Sequence, residues 1–175
     1  MKILTGMEEP DSGSVVLGDT IRIGYFAQEN EDMDLDIRVI DYIRSVAEII
    51  ETSKGTATAS QMLERFLFTP AMQYTPVNKL SGGEKRRLYL LSVLMLGANV
   101  LILDEPSNNV DIPTLTILED YINSFSGIVI TVSHDRYFLD NVVDRIFEFD
   151  GNGHLQQYEG GYTDYLEAKK KRASH

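Results

Sequence analysis

The sequence predicts an α/β domain built on a parallel core sheet. Three observations point there. Two continuous apolar runs, "NVLILDEP" and "GIVITVSHD", have strand length, and each ends in polar groups. The stretch between them, "IPTLTILEDYINSF", is amphipathic at helical spacing and carries Pro113 near its first turn. Strand, helix, strand, helix is the order of parallel strands joined by crossovers, and runs this apolar belong in the centre of such a sheet. Functional groups then gather at the carboxyl ends of the strands. Asp104, Glu105 and His134 fall at those ends.

The elements follow in order. Residues 2–5, closed by Gly6, read as the last turn of a helix, and "PDSG" at 10–13 as a turn. "SVVLG" and "TIRIGYFAQ" flank Gly18-Asp19 and predict a hairpin. From Leu35 the texture turns helical: "DIRVIDYIRSVAEII" places Ile37, Ile40, Ile43 and Ala47 on one face. "GTATASQMLERFLF" opens with small polar residues and continues as a helix, "TPAMQYTPVNK" is a loop with two prolines, and Ser81 leads a further helix. Residues 35–97 thus read as a helical block standing apart from the sheet. Residues 98–150 carry the two apolar runs, and 151–175 give a turn, a strand and a last helix, "YTDYLEAKKKR".

Composition narrows the function classes. The 175 residues suit one domain with a real core, at 43% hydrophobic and 25% charged. No apolar run approaches a membrane span, and "MKILTGMEEP" is not a signal peptide. Cysteine is absent, which removes disulfides and thiolate metal sites and makes a cytoplasmic setting the default. A net charge of -11 is a poor general coat for nucleic acid. The one basic cluster, Lys169 to Arg172, suits a solvated helix end.

Several residues carry candidate chemistry, each beside a plainer structural reading. "VLILDE" delivers two adjacent carboxylates to a strand end. Asp104 there suits Mg²⁺, and Glu105 suits orienting and deprotonating a water; alternatively, "DEP" is an acidic turn. His134 ends the second run, where its imidazole would touch a γ-phosphate or simply hydrogen-bond the fold. Gln28 closes "IGYFAQ" and offers an amide to a metal and a water, or to a turn. In "LSGGE", Ser81 and Glu84 form the capping-box pattern S-x-x-E. That leaves Gly82 and Gly83 unexplained, because glycine weakens a helix by up to about 1 kcal/mol per interior position. Close approach of a ligand to the backbone is a reason to keep them, and amides at a helix N-terminus favour an anion.

In order and spacing, "YFAQ", "LSGGE", "VLILDEP", "SNNVD" and "VSHDR" resemble an ATP-binding cassette (ABC) ATPase domain, over essentially the whole chain. The resemblance implies a P-loop NTPase-like fold with a parallel core sheet and a helical subdomain. It also implies ATP and Mg²⁺ as ligands. Gln28 then matches the Q-loop glutamine, Ser81 to Glu84 the signature motif, Asp104 the Walker B aspartate and Glu105 the catalytic glutamate. Asp111 matches the D-loop aspartate and His134 the switch histidine. "EPSNNVDIPTLTILEDYI" and "YEGGYTDYLEAKKK" are similar to the ABC-F type, twin-cassette proteins that act on ribosomes. That type usually has Thr-Asn-His-Leu-Asp where this chain has Ser107-Asn108-Asn109-Val110-Asp111.

The chain departs from the family at its start. "KILTG" resembles the segment just past the phosphate loop, and no Gly-Lys pair occurs in the sequence. The expectation is a C-terminal cassette lacking its leading strands and Walker A motif, binding ATP poorly alone and pairing head to tail with a second cassette. Exposed sheet edges are expected to make it self-associate, as light scattering would read. Two competing expectations are the ATPase subunit of a membrane transporter and a non-catalytic remnant that only binds partners.

Overall fold

A computed structural model describes residues 1–28, 33, 36–52 and 55–173. The described residues form two units, Met1–Val132 and Ser133–His175.

The first unit holds a three-stranded parallel sheet in the order β1-β4-β5. Its strands are β1 (Ile23–Phe26), β4 (Val100–Asp104) and β5 (Ile128–Val132). The central strand β4 is apolar along its length and buried up to Asp104. Its register with β1 pairs Ile23 with Val100 and Phe26 with Leu103. Asn99 helps set that register: its side chain accepts from the Arg22 amide and donates to the Thr20 carbonyl, both at 2.8 Å. The expected central burial of β5 is corrected. It lies at the sheet edge, and Ile128 is 60% exposed. An apolar strand is buried only if something lies along both its sides, which its own sequence does not encode.

Between β1 and residue 82 the described residues add three α-helices, a 3₁₀ turn and a pair of antiparallel strands. Helix α1 (Val39–Val46) buries Ile40 and Ile43 of the expected face, together with Val39, while Ile37 and Ala47 lie outside the helix and are half-buried. It stops sooner than the periodicity predicts. Ala47 is extended, and Ile49–Thr52 becomes β2, antiparallel to β3 (Gly55–Thr58). Thr58 then starts α2 (Ala59–Arg65) with a capping box to Gln61. The expected proline loop contains α3 (Pro70–Gln73), with Pro70 at its favoured first position, and a 3₁₀ turn at Val77–Lys79. The expected helix onset at Leu35 lies outside the described residues.

Helix α4 (Gly82–Met95) is the spine of this unit. Leu88, Leu90, Leu91 and Leu94 are at most 1% exposed, and the helix packs on β1 and α1. A helix apolar around most of its girth has to be enclosed. Helix α5 (Ile112–Ser124) follows β4 and is capped by Asp111. At the start of the chain, residues 2–6 make one hydrogen-bonded turn rather than a helix. The Met7 amide bonds the Lys2 carbonyl at 2.9 Å, and Gly6 at φ 73° closes the turn as a Schellman motif. The hairpin expected around Gly18-Asp19 does not form: among the described residues β1 pairs only with β4, and Val16 is 86% exposed.

The second unit contains α6 (Arg136–Val142), the hairpin of β6 (Arg145–Phe149) and β7 (Leu155–Glu159), and α7 (Tyr162–Ala173). Asp140 of α6 accepts from the amide and hydroxyl of Thr163, both at 2.7 Å, which caps α7. Glu148 accepts from Tyr158, Tyr165 and Lys169. The basic cluster therefore has structural work within this unit: Lys169 pairs with Glu148, and the Arg172 guanidinium lies 5.0 Å from the Tyr158 ring centre.

Candidate functional site

The carboxyl ends of β1 and β4 bring Gln28, Asp104 and Glu105 to one rim of the sheet. The register aligns Phe26 with Leu103, so the residues just beyond them emerge side by side. Tyr25 donates its hydroxyl to Asp104 at 3.3 Å. Burial, reinforced by the Asp104 carboxylate, pushes the Tyr25 phenol up from its ordinary value, so it remains a donor at neutral pH. Glu105 is 6% exposed and has φ 50°, in the left-handed region. That conformation costs a non-glycine residue about 1–3 kcal/mol and clusters at functional positions. Two hydrogen bonds enforce it: the Glu105 amide donates to the Val132 carbonyl at 2.8 Å, and its carbonyl accepts from Asn108 at 3.1 Å. The strand ladder thus extends one residue past β4 and then turns sharply, which a run of apolar residues does not announce.

The N-terminus of α4 confirms the capping box in detail. Ser81 Oγ accepts from the Glu84 amide at 3.3 Å, while Glu84 Oε2 accepts the Ser81 amide and hydroxyl at 2.8 Å each. Hydrogen bonding from Ser81, its amide first, holds the Glu84 carboxyl below its ordinary value. The sign follows: a carboxyl lowered in the folded state adds stability in full above its unfolded pKa, and loses it as pH falls through the folded value. Glu84→Gln keeps the acceptor and removes the charge from the helix N-terminus. Its melting temperature should lie below that of the parent at pH 7, and the gap should close as the pH falls below the carboxylate range. A gap constant from pH 7 to pH 3 would contradict this.

Gly82 and Gly83 gain nothing from being glycine within their own fold. Neither has a positive φ. A Cβ on Gly82 would meet nothing within 4 Å, and one on Gly83 only the Asn109 carbonyl at 3.8 Å, ordinary contact. Both face a cavity of about 330 Å³ lined by Gln28, Gly82, Gly83, Arg86 and Asn109. The open space above bare amides at a capped helix start fits an anionic oxygen group such as a phosphate.

Two residues of this cavity were not expected from the sequence. Arg86 stands three and four positions after the glycines, so it shares their helix face. Asn109 has φ 60°. Helical spacing was the available signal for Arg86, and none marked Asn109. Asp111 does not line the cavity. It accepts the Thr114 amide at 2.9 Å as the cap of α5 and pairs with Arg87 Nη1 at 3.1 Å, tying the segment after β4 to α4. His134 belongs to the second unit, where it is exposed, and the next residue, Asp135, caps α6 through the Tyr137 and Phe138 amides.

The donor set fits magnesium delivered with phosphates. Gln28 and Asp104 offer hard oxygen atoms, and Mg²⁺ is normally held by one or two such side chains plus phosphate oxygens and waters. Among the described residues, no helix is long and apolar enough to cross a membrane.

Comparisons with known proteins agree with this architecture. The sequence profile of the ABC transporter family matches residues 1–108. The chain is 55% identical over 173 residues to the uncharacterised ABC transporter ATP-binding protein YfmR of Bacillus subtilis, covering 98% of this chain and 28% of that protein. It is 39% identical over 174 residues to the ATP-binding protein Uup of Haemophilus influenzae, covering 99% and 26%. It is 38% identical over 170 residues to the energy-dependent translational throttle protein EttA of the same organism, covering 97% and 31%. The chain thus spans between about a quarter and a third of the length of these relatives. Among solved structures it resembles the RNase-L inhibitor, with a TM-score of 0.70 at 22% identity, covering 97% of this chain and 33% of that one. At that identity the likeness shows the fold.

Proposed function

Because this chain belongs to the ABC transporter family of ATP-binding cassettes, with relatives of the ABC-F type, we propose that it supplies one jaw of an ATP site closed between two cassettes. The observation that carries this reading is the pair of glycines that their own fold does not require, at a capped helix start facing an open cavity. Ser81 and the amides of Gly82 and Gly83 would grip the γ-phosphate of an ATP held by the phosphate loop of a second cassette. The 175 residues contain no Gly-Lys pair to hold those phosphates themselves. On its own the chain is therefore expected to hold Mg-ATP poorly.

The second role concerns hydrolysis in the intact protein. Gln28 and Asp104 would hold the metal through their side-chain oxygens, and Gln28 would also orient the attacking water. A bound magnesium would supply positive charge to offset the negative charge that develops on the phosphate oxygens. The Glu105 carboxylate takes a proton from that water as its oxygen bonds to the γ-phosphorus, while the bond from that phosphorus to the bridging oxygen breaks and ADP leaves. His134 senses the γ-phosphate. Asp111, fixed to α4 by Arg87, stands at the seam between the cassettes.

The process served is translation, in a cytoplasmic setting. The name of EttA, a translational throttle, supports this. The membrane-transporter reading rests on the family profile. A cosedimentation experiment separates them: the intact protein, trapped with ATP, should travel with ribosomes. Recovery with the membrane fraction alone would overturn the translational reading.

A further inference from the structure

Arg86 does more than line the cavity. Its Nη1 donates to the Ala27 carbonyl at 2.8 Å, although the two residues lie far apart in sequence. Its guanidinium lies 3.8 Å from the Phe26 ring centre and 6.0 Å from that of Tyr89, and the residue is 4% exposed. One turn further along α4, the Tyr89 hydroxyl faces the other side of the same stretch. It accepts the Ala27 amide at 3.5 Å and donates to the Tyr25 carbonyl at 3.4 Å. The Tyr89 and Phe26 rings stack at 5.1 Å. Ala27, the residue immediately before Gln28, is thus held at both its carbonyl and its amide by the first turns of α4.

We infer that Arg86, with Tyr89, is a positioning residue: it fixes Gln28 to the same rigid piece as the Ser81–Gly83 amides. In consequence, the group this cassette offers to its own metal and water, and the group it offers to the partner's γ-phosphate, move together. A charged donor is needed at this position because a stacked, planar guanidinium can cover the Phe26 ring and reach a carbonyl at once. The inference rests on the ATP-site reading for the roles of Gln28 and the amides; the clamp itself does not.

Backbone amide exchange on the 175-residue chain tests it without nucleotide. In Arg86→Gln, the amides of Phe26, Ala27 and Gln28 should exchange roughly tenfold faster, since losing a hydrogen bond to a charged group costs more than a kilocalorie. The interior of α4, from Leu88 to Met95, should keep its parental rate. Arg86→Lys retains a cation but not the stack and should fall between, and it serves as the readout if the glutamine variant does not fold. Tyr89→Phe should accelerate Ala27 by a smaller factor. Unchanged exchange at residues 26–28 would overturn the clamp. So would acceleration spread equally through α4, which would mark Arg86 as ordinary core. Mg-ATP titration of the intact protein reads the other half: normal exchange effects with no nucleotide binding would overturn the ATP-site reading and leave the clamp standing.

Discussion

In the intact protein, Glu105→Gln is expected to cut ATP turnover by about 10²–10⁴-fold, the usual contribution of a positioned general base, while leaving ATP bound. The substitution keeps the size and removes the proton acceptor. Its effect on folding should be small, because the strained φ of 50° and the amide bond to Val132 belong to the backbone and survive the change. Single-turnover hydrolysis and retained nucleotide, measured on the same sample, decide the matter. Unchanged turnover would remove Glu105 from the role of base. A large fall in melting temperature would instead assign the buried carboxylate to stability.

Gly83→Ala should move stability and activity in opposite directions. The position is helical, and its new Cβ meets only the Asn109 carbonyl at 3.8 Å. Alanine there should stabilise the domain by up to about 1 kcal/mol. The same methyl group stands over the bare amides that face the cavity. If a γ-phosphate must approach them, turnover of the intact protein should drop by about 10²–10³-fold, the scale of losing one preorganised oxyanion donor. Thermal melting and turnover on the one variant give both signs. Raised stability with full activity would mean that nothing docks at those amides. Lowered stability would mean that the glycine serves the fold after all.

What could be read from the sequence divides along local and non-local lines. Helix α4 was legible because its start is written in four residues, Ser81 to Glu84, and its body in leucines. Strand β4, helix α5, strand β7 and helix α7 were legible for the same reason: period, caps and turn residues are local. The β2–β3 hairpin was not. "AEII" continues the apolar pattern of α1, and "GTAT" looks like a helix lead, yet β2 and β3 pair antiparallel. The edge position of β5 depends on what lies beside it. At the site, the carboxylates and glycines were visible as types at strand and helix ends. Their common rim, the left-handed Glu105 and the grip of Arg86 on Ala27 depend on the approach of α4 to β1 and of β5 to β4, and a single strand or helix does not carry that information.

On the proposed reading, these residues form the closing jaw of an ATP site whose phosphate cradle belongs to another cassette. Isothermal titration of the 175-residue chain with Mg-ATP tests it most directly. No saturable heat is expected at low micromolar nucleotide. Tight one-site binding at low micromolar by this chain alone would contradict it, because the phosphates would then be held by groups other than a partner's loop.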